Sequence, residues 1–380
     1  MGSRCLLCKA LLFQQKYTEA LPILTNIITN GVTSKGIPYA LAPTFHSLFN
    51  ADSENIAAVR AETVFAYEAS INDGSGGQNA NWDQILNFPY NGGPGGCCGF
   101  FQPSFELVNS YRTDATGLPL LDGSYNTGAN QVVTDQGIES ANPFTPDAGR
   151  LDPRLDWTVG RRGIPFLDWG NHPGKSWIRD QGNGGPYAPK KMSYYKNQEK
   201  RLTDATSWTN GLTATNFKLM RFADVLLMAA EAEVEVGSLE KARGYVNQVR
   251  ARAAIPSSFV KTYIDPANPA AGFTTTNAAN YVIGLYPGPW TNQATARTAV
   301  RFERKLELAM EGIRFFDLVR WNVAATTINA FLAYEKTKLS AAYGSATFMA
   351  GKHEYFPIPQ RQIDLSSSGG VSTLTQNPNY

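Results

Sequence analysis

Apolar side chains recur at helical spacing in three separated stretches of this chain. In residues 299–321, Phe302, Leu306, Ala309, Ile313 and Phe316 follow at alternating intervals of four and three, which predicts one helix with a single apolar stripe. Opposite charges interleave there at i,i+3: Arg304 with Glu307, Glu311 with Arg314, and Asp317 with Arg320. Gly312 in a helix interior costs about 1 kcal/mol relative to alanine, so a close-packed neighbour is expected beside it. Residues 4–30 read as a helical hairpin, with Leu7, Cys8 and Leu11 before the turn and Ala20, Leu24 and Ile27 after it. Residues 217–252 read as a second hairpin around Gly237 and Ser238, with Leu226, Ala230, Ala242, Val246 and Val249 inside. Small and large apolar residues alternate as in tetratricopeptide hairpins, which bury their faces only by stacking on neighbours.

Glu303, Glu307 and Glu311 share one helical face with arginines beside them. Arginine partners keep carboxylates ionised, so the trio reads as structural ion pairing rather than an acid/base cluster.

Between the helical stretches lie long segments rich in Gly, Asn and Pro. Residues 72–104 include Gly92-Gly93-Pro94-Gly95-Gly96, which lacks the Gly-Lys-Ser/Thr ending and strand–loop–helix context of a phosphate cradle. Residues 157–195 hold Trp157, Trp169, Trp177, Tyr187, Tyr194 and Tyr195, and residues 256–297 hold Tyr263, Tyr281, Tyr286 and Trp290. Loops this long in a folded protein are more often functional than idle.

The run from Glu303 to Trp321 resembles the signature ER-x-x-E-L-x-x-E-G-x-R-x-x-D-L-x-R-W of the SusD-like (RagB/SusD) family, with Lys305 in its basic run. Tyr355-Phe356-Pro357-Ile358-Pro359 and Gln376-Asn377-Pro378-Asn379-Tyr380 resemble that family's closing PIP and QNPGY elements, departing at Asn379, where glycine is usual. The 218–232 segment resembles RYAEVLLMYAEA, Pro103 to Val108 resembles PSxELV, and Leu151 to Leu155 resembles a DPRL turn. The resemblance implies a mainly α fold: a SusD-like helical scaffold with tetratricopeptide-like hairpins and long irregular loops. It implies a single domain over 1–380, with an N-terminal hairpin segment at 1–71, a loop-rich variable region at 72–215 and a C-terminal helical region at 216–380. Family members carry a lipoprotein signal, an anchoring cysteine and further hairpins before the point matching residue 1, so the resemblance implies an N-terminally truncated member.

Composition adds little that competes with this. Among 380 residues the formal net charge is +2, which gives no global field for nucleic acid. No apolar run approaches the roughly 18 residues that span a bilayer. Cys5, Cys8, Cys97 and Cys98 fit neither a disulfide framework nor zinc spacing, which predicts free thiols.

No catalytic or metal constellation stands out. His46, His172 and His353 are the only histidines, and neither HExxH nor Gly-x-Ser-x-Gly occurs. Asp83, Glu106, Asp168 and Asp180 are the loop carboxylates available to a glycosidase pair, a reading that chance alone supplies in any chain of this size. No cofactor is expected. Sugar binding has a firmer basis, since sugar rings stack on aromatic planes while their hydroxyls need Asp, Asn or Arg partners. Asp168, Trp169, Asn171, Trp177, Arg179 and Asp180 combine both kinds within one stretch, followed by Tyr187, with Trp82 and Trp290 on the flanking loops. Trp157, Trp208 and Trp321 are assigned to packing. The resemblance implies a non-catalytic outer-membrane protein, exposed at the cell surface through a lipid anchor absent from this chain. Its implied partners are a glycan nutrient and a TonB-dependent, SusC-like transporter, with no nucleic acid. A helical-repeat adaptor that binds only protein is the alternative.

Overall fold

A computed structural model describes residues 2–380, which fall into two compact units divided between Glu311 and Gly312. Among the described residues, six helices have twelve or more residues: α1 (Gly2–Phe13), α2 (Tyr17–Asn30), α3 (Phe222–Val236), α4 (Leu239–Ala253), α5 (Gln293–Glu307) and α6 (Ala324–Glu335).

In the first unit α1 and α2 form one hairpin and α3 and α4 another, with α2 and α5 both packing on α3. Helix α3 is buried on every side from Phe222 to Val234, with Asp224, Glu231 and Glu233 enclosed among its apolar residues. Leu226 and Ala230 on α3 meet Ala242, Val246 and Val249 on α4 in one core that also takes Cys5, Cys8, Leu24 and Ile27. The hairpin assignments therefore hold, with two corrections. Leu7 is 49% exposed, and Cys5 and Leu12 occupy the inner face beside Cys8 and Leu11. Residues 217–221 are not helical: they form a strand antiparallel to Thr63–Tyr67, and α3 begins at Phe222.

The expected helix over 299–321 is broken. Helix α5 stops at Glu307, and a separate helix spans Arg314–Arg320. Met310 and Gly312 both take left-handed backbone between them, at φ 63° and 74°. No neighbour lies within 4 Å of where a Gly312 Cβ would stand, so the glycine serves the turn rather than close packing. The interleaved charges are redistributed accordingly. Arg304 pairs with Asp224 on α3, Glu311 pairs with Lys191 and Arg221, and Asp317–Arg320 keeps the expected i,i+3 pairing.

The glutamates of α5 anchor a buried charge lattice. Arg154 Nη1 donates to Glu303 Oε1 at 2.5 Å and to Glu307 Oε2 at 2.9 Å. Arg250 reaches Glu303 at 2.9 Å, Arg221 reaches Glu307 at 2.7 Å, and Arg252 also binds Glu307. Burial alone would raise the Glu307 pKa, but the guanidinium groups of Arg252, Arg221 and Arg154 outweigh it and hold the carboxyl well below its ordinary value. This lattice ties the turn carrying Arg154, and the segment carrying Lys191, to the helical scaffold.

In the second unit Leu318, Trp321 and Ala324 form a small core with Ile328 and Phe348. The two closing motifs bind each other: Ile358 N donates to Gln376 Oε1 at 2.8 Å, Gln376 Nε2 to Ile358 O at 2.9 Å, and Asn377 Nδ2 to Phe356 O at 2.7 Å. Asn379 sits at φ 66°, in the left-handed region that asparagine tolerates best after glycine. That explains its replacement of the usual glycine.

Candidate functional site

The charge lattice positions four loop segments around an aromatic cleft of about 450 Å³. Residues 44–53 come first. Phe45 and Phe49 lie under the cations of the lattice, with Lys191 Nζ at 4.8 and 5.0 Å from their ring centres and Arg252 at 5.3 Å from Phe45. This fixes His46 between them. The second segment follows Arg154 directly: the short helix Leu155–Thr158 projects Trp157, whose Nε1 donates to Ser258 O at 2.8 Å. That bond holds the third segment, where Pro256–Ser258 leads into the hairpin Lys261–Tyr263/Phe273–Asn277. Tyr263 of the hairpin donates through its hydroxyl to Leu167 O at 2.6 Å, closing the ring of contacts. Residues 190–195, placed by Lys191, supply Lys190 and Tyr195.

His46, Trp157, Tyr195, Leu167, Phe259 and Phe273 give the cleft its apolar surface. His46 stacks on Trp157 with ring centres 4.2 Å apart and planes at 13°, and Tyr195 tilts against His46 at 5.6 Å. Phe273 stacks on Tyr263 through one face and is 42% exposed, leaving ring surface open to a ligand. Thr44, Ser47, Asn50, Ser53, Ser257 and Ser258 supply polar groups around these rings. His46 is only 6% exposed, and neither ring nitrogen has a hydrogen-bond partner. Burial, with Lys190 adding to it, pushes its pKa down to about 3, so the imidazole is neutral, with one donor and one acceptor nitrogen, both enclosed. Lys190 Nζ donates to Asp156 O and Pro165 O at 2.6 and 2.7 Å, and lies 5.2 Å from the Trp157 ring centre.

A larger cavity of about 530 Å³ lies elsewhere, lined by Val32, Ile37, Tyr39, Phe65, Glu54 and Lys218 among others. Lys218 and Glu54 in it are paired with each other, and Tyr39 is buried in the main core. Its one open ring is Phe65, 43% exposed, with no second ring beside it comparable to the His46–Trp157 stack.

The residues singled out from the sequence fall in several places. Asp168 and Trp169 adjoin the cleft beyond Leu167. Asp168 accepts the backbone N–H groups of Lys196 and Asn197 at 2.5 and 3.1 Å, and Trp169 Nε1 donates to Tyr194 O at 2.8 Å. Asn171 is exposed on the same turn. Trp177 is 8% exposed, edge-on to Phe166 and His172 and beneath Gly92 and Gly93, a packing position behind the wall. Tyr187 is buried against Phe105. Arg179 belongs to a separate surface group, its guanidinium 4.5 Å from the Phe100 ring centre and 5.5 Å from that of Tyr90, and Asp180 caps the adjoining helical turn. Trp82 edges a small hollow with Tyr67 and Phe217, and Trp290 packs on Tyr286 beside α4. Trp321 is buried as expected and Trp157 packs against the Phe166–Trp177 core while also facing the cleft, whereas Trp208 is 69% exposed, against its assignment to packing.

Other expectations resolve as follows. Cys97 and Cys98 are bonded to each other, correcting the expectation of free thiols, which Cys5 and Cys8 do retain. Burial pushes those two thiols up to about 12 and about 11. The 256–297 stretch is not a plain loop, since it contains the hairpin and the start of α5. Among the described residues no group of three or more His, Cys, Asp or Glu side chains could hold a metal ion, and no helix is long and apolar enough to cross a membrane.

Helical hairpins packed on one another, with long loops around an aromatic, hydroxyl-rimmed cleft, define a protein of the helical-repeat class. The sequence profile of the SusD family matches residues 61–380, and the chain belongs to that family. SusD-like protein P2 of Formosa agariphila is 36% identical over 170 residues, covering 44% of this chain and 26% of that protein. A SusD homolog from Bacteroides thetaiotaomicron superposes with a TM-score of 0.61 at 21% identity, over 100% of this chain and 63% of its own. Surface glycan-binding protein A from the same organism, in complex with laminarihexaose, gives 0.52 at 19% identity, over 99% and 63%. The chain thus spans about a quarter of the curated relative and under two thirds of the solved relatives.

Proposed function

We propose that this protein binds glycans without transforming them, and that the cleft between His46, Trp157, Tyr195 and Phe273 is where it does so. The observation that carries this is a neutral, unpartnered imidazole set among aromatic rings and hydroxyls. Apolar ring faces match the C–H faces of a sugar, and a neutral imidazole pairs with hydroxyls in either direction. Asp168, Trp169 and Asn171 extend the binding surface along the adjoining turn. Trp177 and Tyr187 support it from behind, and Arg179, Asp180, Trp82 and Trp290 lie on outlying surfaces that a longer glycan would reach.

No carboxylate lines the cleft. Glycoside hydrolysis in most families needs two carboxyls flanking the scissile bond, at separations of roughly 5–10 Å. The loop carboxylates considered for that role are engaged elsewhere: Glu106 with Lys305 and Tyr125, Asp168 and Asp180 with backbone N–H groups, and Asp83 with Gln84. Bound sugar is therefore released unchanged. Family membership supports a further reading, in which the protein stands at the outer-membrane surface and passes its ligand to a TonB-dependent transporter.

Isothermal calorimetry against a panel of oligosaccharides tests the binding reading. Heat of binding that disappears in Phe273→Ala and Tyr195→Ala but persists in Arg179→Ala supports the cleft. Binding that survives both cleft substitutions and fails in Arg179→Ala moves the site to the Tyr90–Phe100 surface. Co-purification of a tagged full-length protein with an outer-membrane transporter tests the delivery step.

A further inference from the structure

We propose that the cleft selects acidic saccharides, those carrying a carboxylate or a sulfate ester, over neutral ones, through Lys261 at its rim and Lys190 behind Trp157. The proposal rests on reading the cleft as the glycan site and adds a substrate class to it.

The residues lining the cleft include two lysines and no aspartate or glutamate. Among the described residues neither lysine takes part in an ion pair, in a protein where most buried cations do. Lys261 Nζ is held by the neutral Asn277 Oδ1 at 2.5 Å and lies 5.6 Å from the Phe259 ring centre, at the mouth of the cleft. Lys190 is fully enclosed and bonded only to backbone carbonyls.

The carboxylates nearby are committed to other partners. Both oxygens of Asp156 take the Arg161 guanidinium, at 2.6 and 2.9 Å, and one also accepts the Tyr281 hydroxyl at 2.6 Å. Asp52 takes Arg201 on both oxygens at 2.6 and 2.8 Å. Asp168 accepts two backbone N–H groups. An anion entering the cleft would therefore meet lysines that no carboxylate pairs with directly, Lys190 feeling Asp156 only at a distance and against Arg161, across low-dielectric ring surface that screens poorly. Burial pushes the Lys190 ammonium down to about 7, and a ligand anion alongside would restore its charge. A neutral sugar gains nothing from either lysine beyond an ordinary hydroxyl contact.

The test compares short oligosaccharides of glucuronic and galacturonic acid with their carboxyl-reduced neutral counterparts, and sulfated with unsulfated galactans, by calorimetry at low and high salt. A charge-assisted contact predicts at least roughly tenfold tighter binding of one acidic member over its neutral twin. That advantage should shrink at high salt and vanish in Lys261→Gln, an exposed-rim substitution that leaves the fold intact. Lys190→Met should reduce it as well. Preference for the carboxylated or for the sulfated pair identifies which anion is read. Equal affinity for acidic and neutral members, both lost in Phe273→Ala, would overturn the charge selection while leaving glycan binding in place. Failure of every saccharide to bind would overturn both.

Discussion

The imidazole of His46 lies flat on the indole of Trp157, ring centres 4.2 Å apart and planes 13° apart. The pair joins two segments more than a hundred residues apart and forms the inner wall of the cleft. His46 is held neutral there by burial, with its pKa pushed down to about 3 from an ordinary 6.5. The unfolded chain binds a proton at His46 as pH falls through 6.5, while the folded chain does not until about 3. Stability contributed by the neutral imidazole is therefore complete above 6.5 and is lost progressively below it. Urea denaturation at a series of pH values should show a shallower loss between 6.5 and about 4.5 in His46→Phe than in the parent. An unchanged slope in that window would mean that His46 is not buried neutral.

Trp177 and Phe273 should behave as opposites. Trp177 is enclosed by Phe166, His172 and the Gly92–Gly93 backbone, so Trp177→Ala should cost roughly 3–5 kcal/mol of stability. Phe273 is 42% exposed, so Phe273→Ala should cost about 1 kcal/mol, well below Trp177→Ala, while abolishing glycan binding. Thermal melts paired with calorimetry separate the two.

Arg154 joins the turn beneath the cleft to α5 through Glu303 and Glu307. Removing it leaves two buried carboxylates and Asp152 short of a partner. Arg154→Ala should cost roughly 3–5 kcal/mol in chemical denaturation, and Arg154→Lys should recover only part because it cannot hold the bidentate contact. A near-neutral Arg154→Ala would mean the lattice does not anchor the turn.

Gly312 stands at φ 74° between two helices. Gly312→Ala should destabilise by about 1–2 kcal/mol through left-handed strain alone, since no neighbour would clash with the added methyl. A Gly312→Asn substitution should cost less. Equal losses for the two would point to packing as the cause.

The scaffold was legible in the sequence because hairpin helices announce themselves through apolar spacing, and Leu226, Ala230, Val246 and Val249 all fall inside as that spacing requires. The break at Met310–Gly312 was missed because charge and apolar periodicity continue across it, and Gly312 was the only local sign. The cleft was largely hidden. Its walls come from residues near 46, 157, 195, 259 and 273, which share no spacing, and each has an ordinary packing role when read alone. The density of Trp and Asp between 168 and 180 pointed to the adjoining turn instead. His46 carried the missing signal only once its burial and lack of partners were visible.

A crystal structure of the protein with the tightest-binding oligosaccharide tests the central claim most directly. The account predicts a sugar ring against Phe273 and Tyr195, with a hydroxyl within hydrogen-bonding distance of a His46 nitrogen. A sugar bound only on the Arg179–Tyr90–Phe100 surface, with the His46–Trp157 cleft empty, would contradict it.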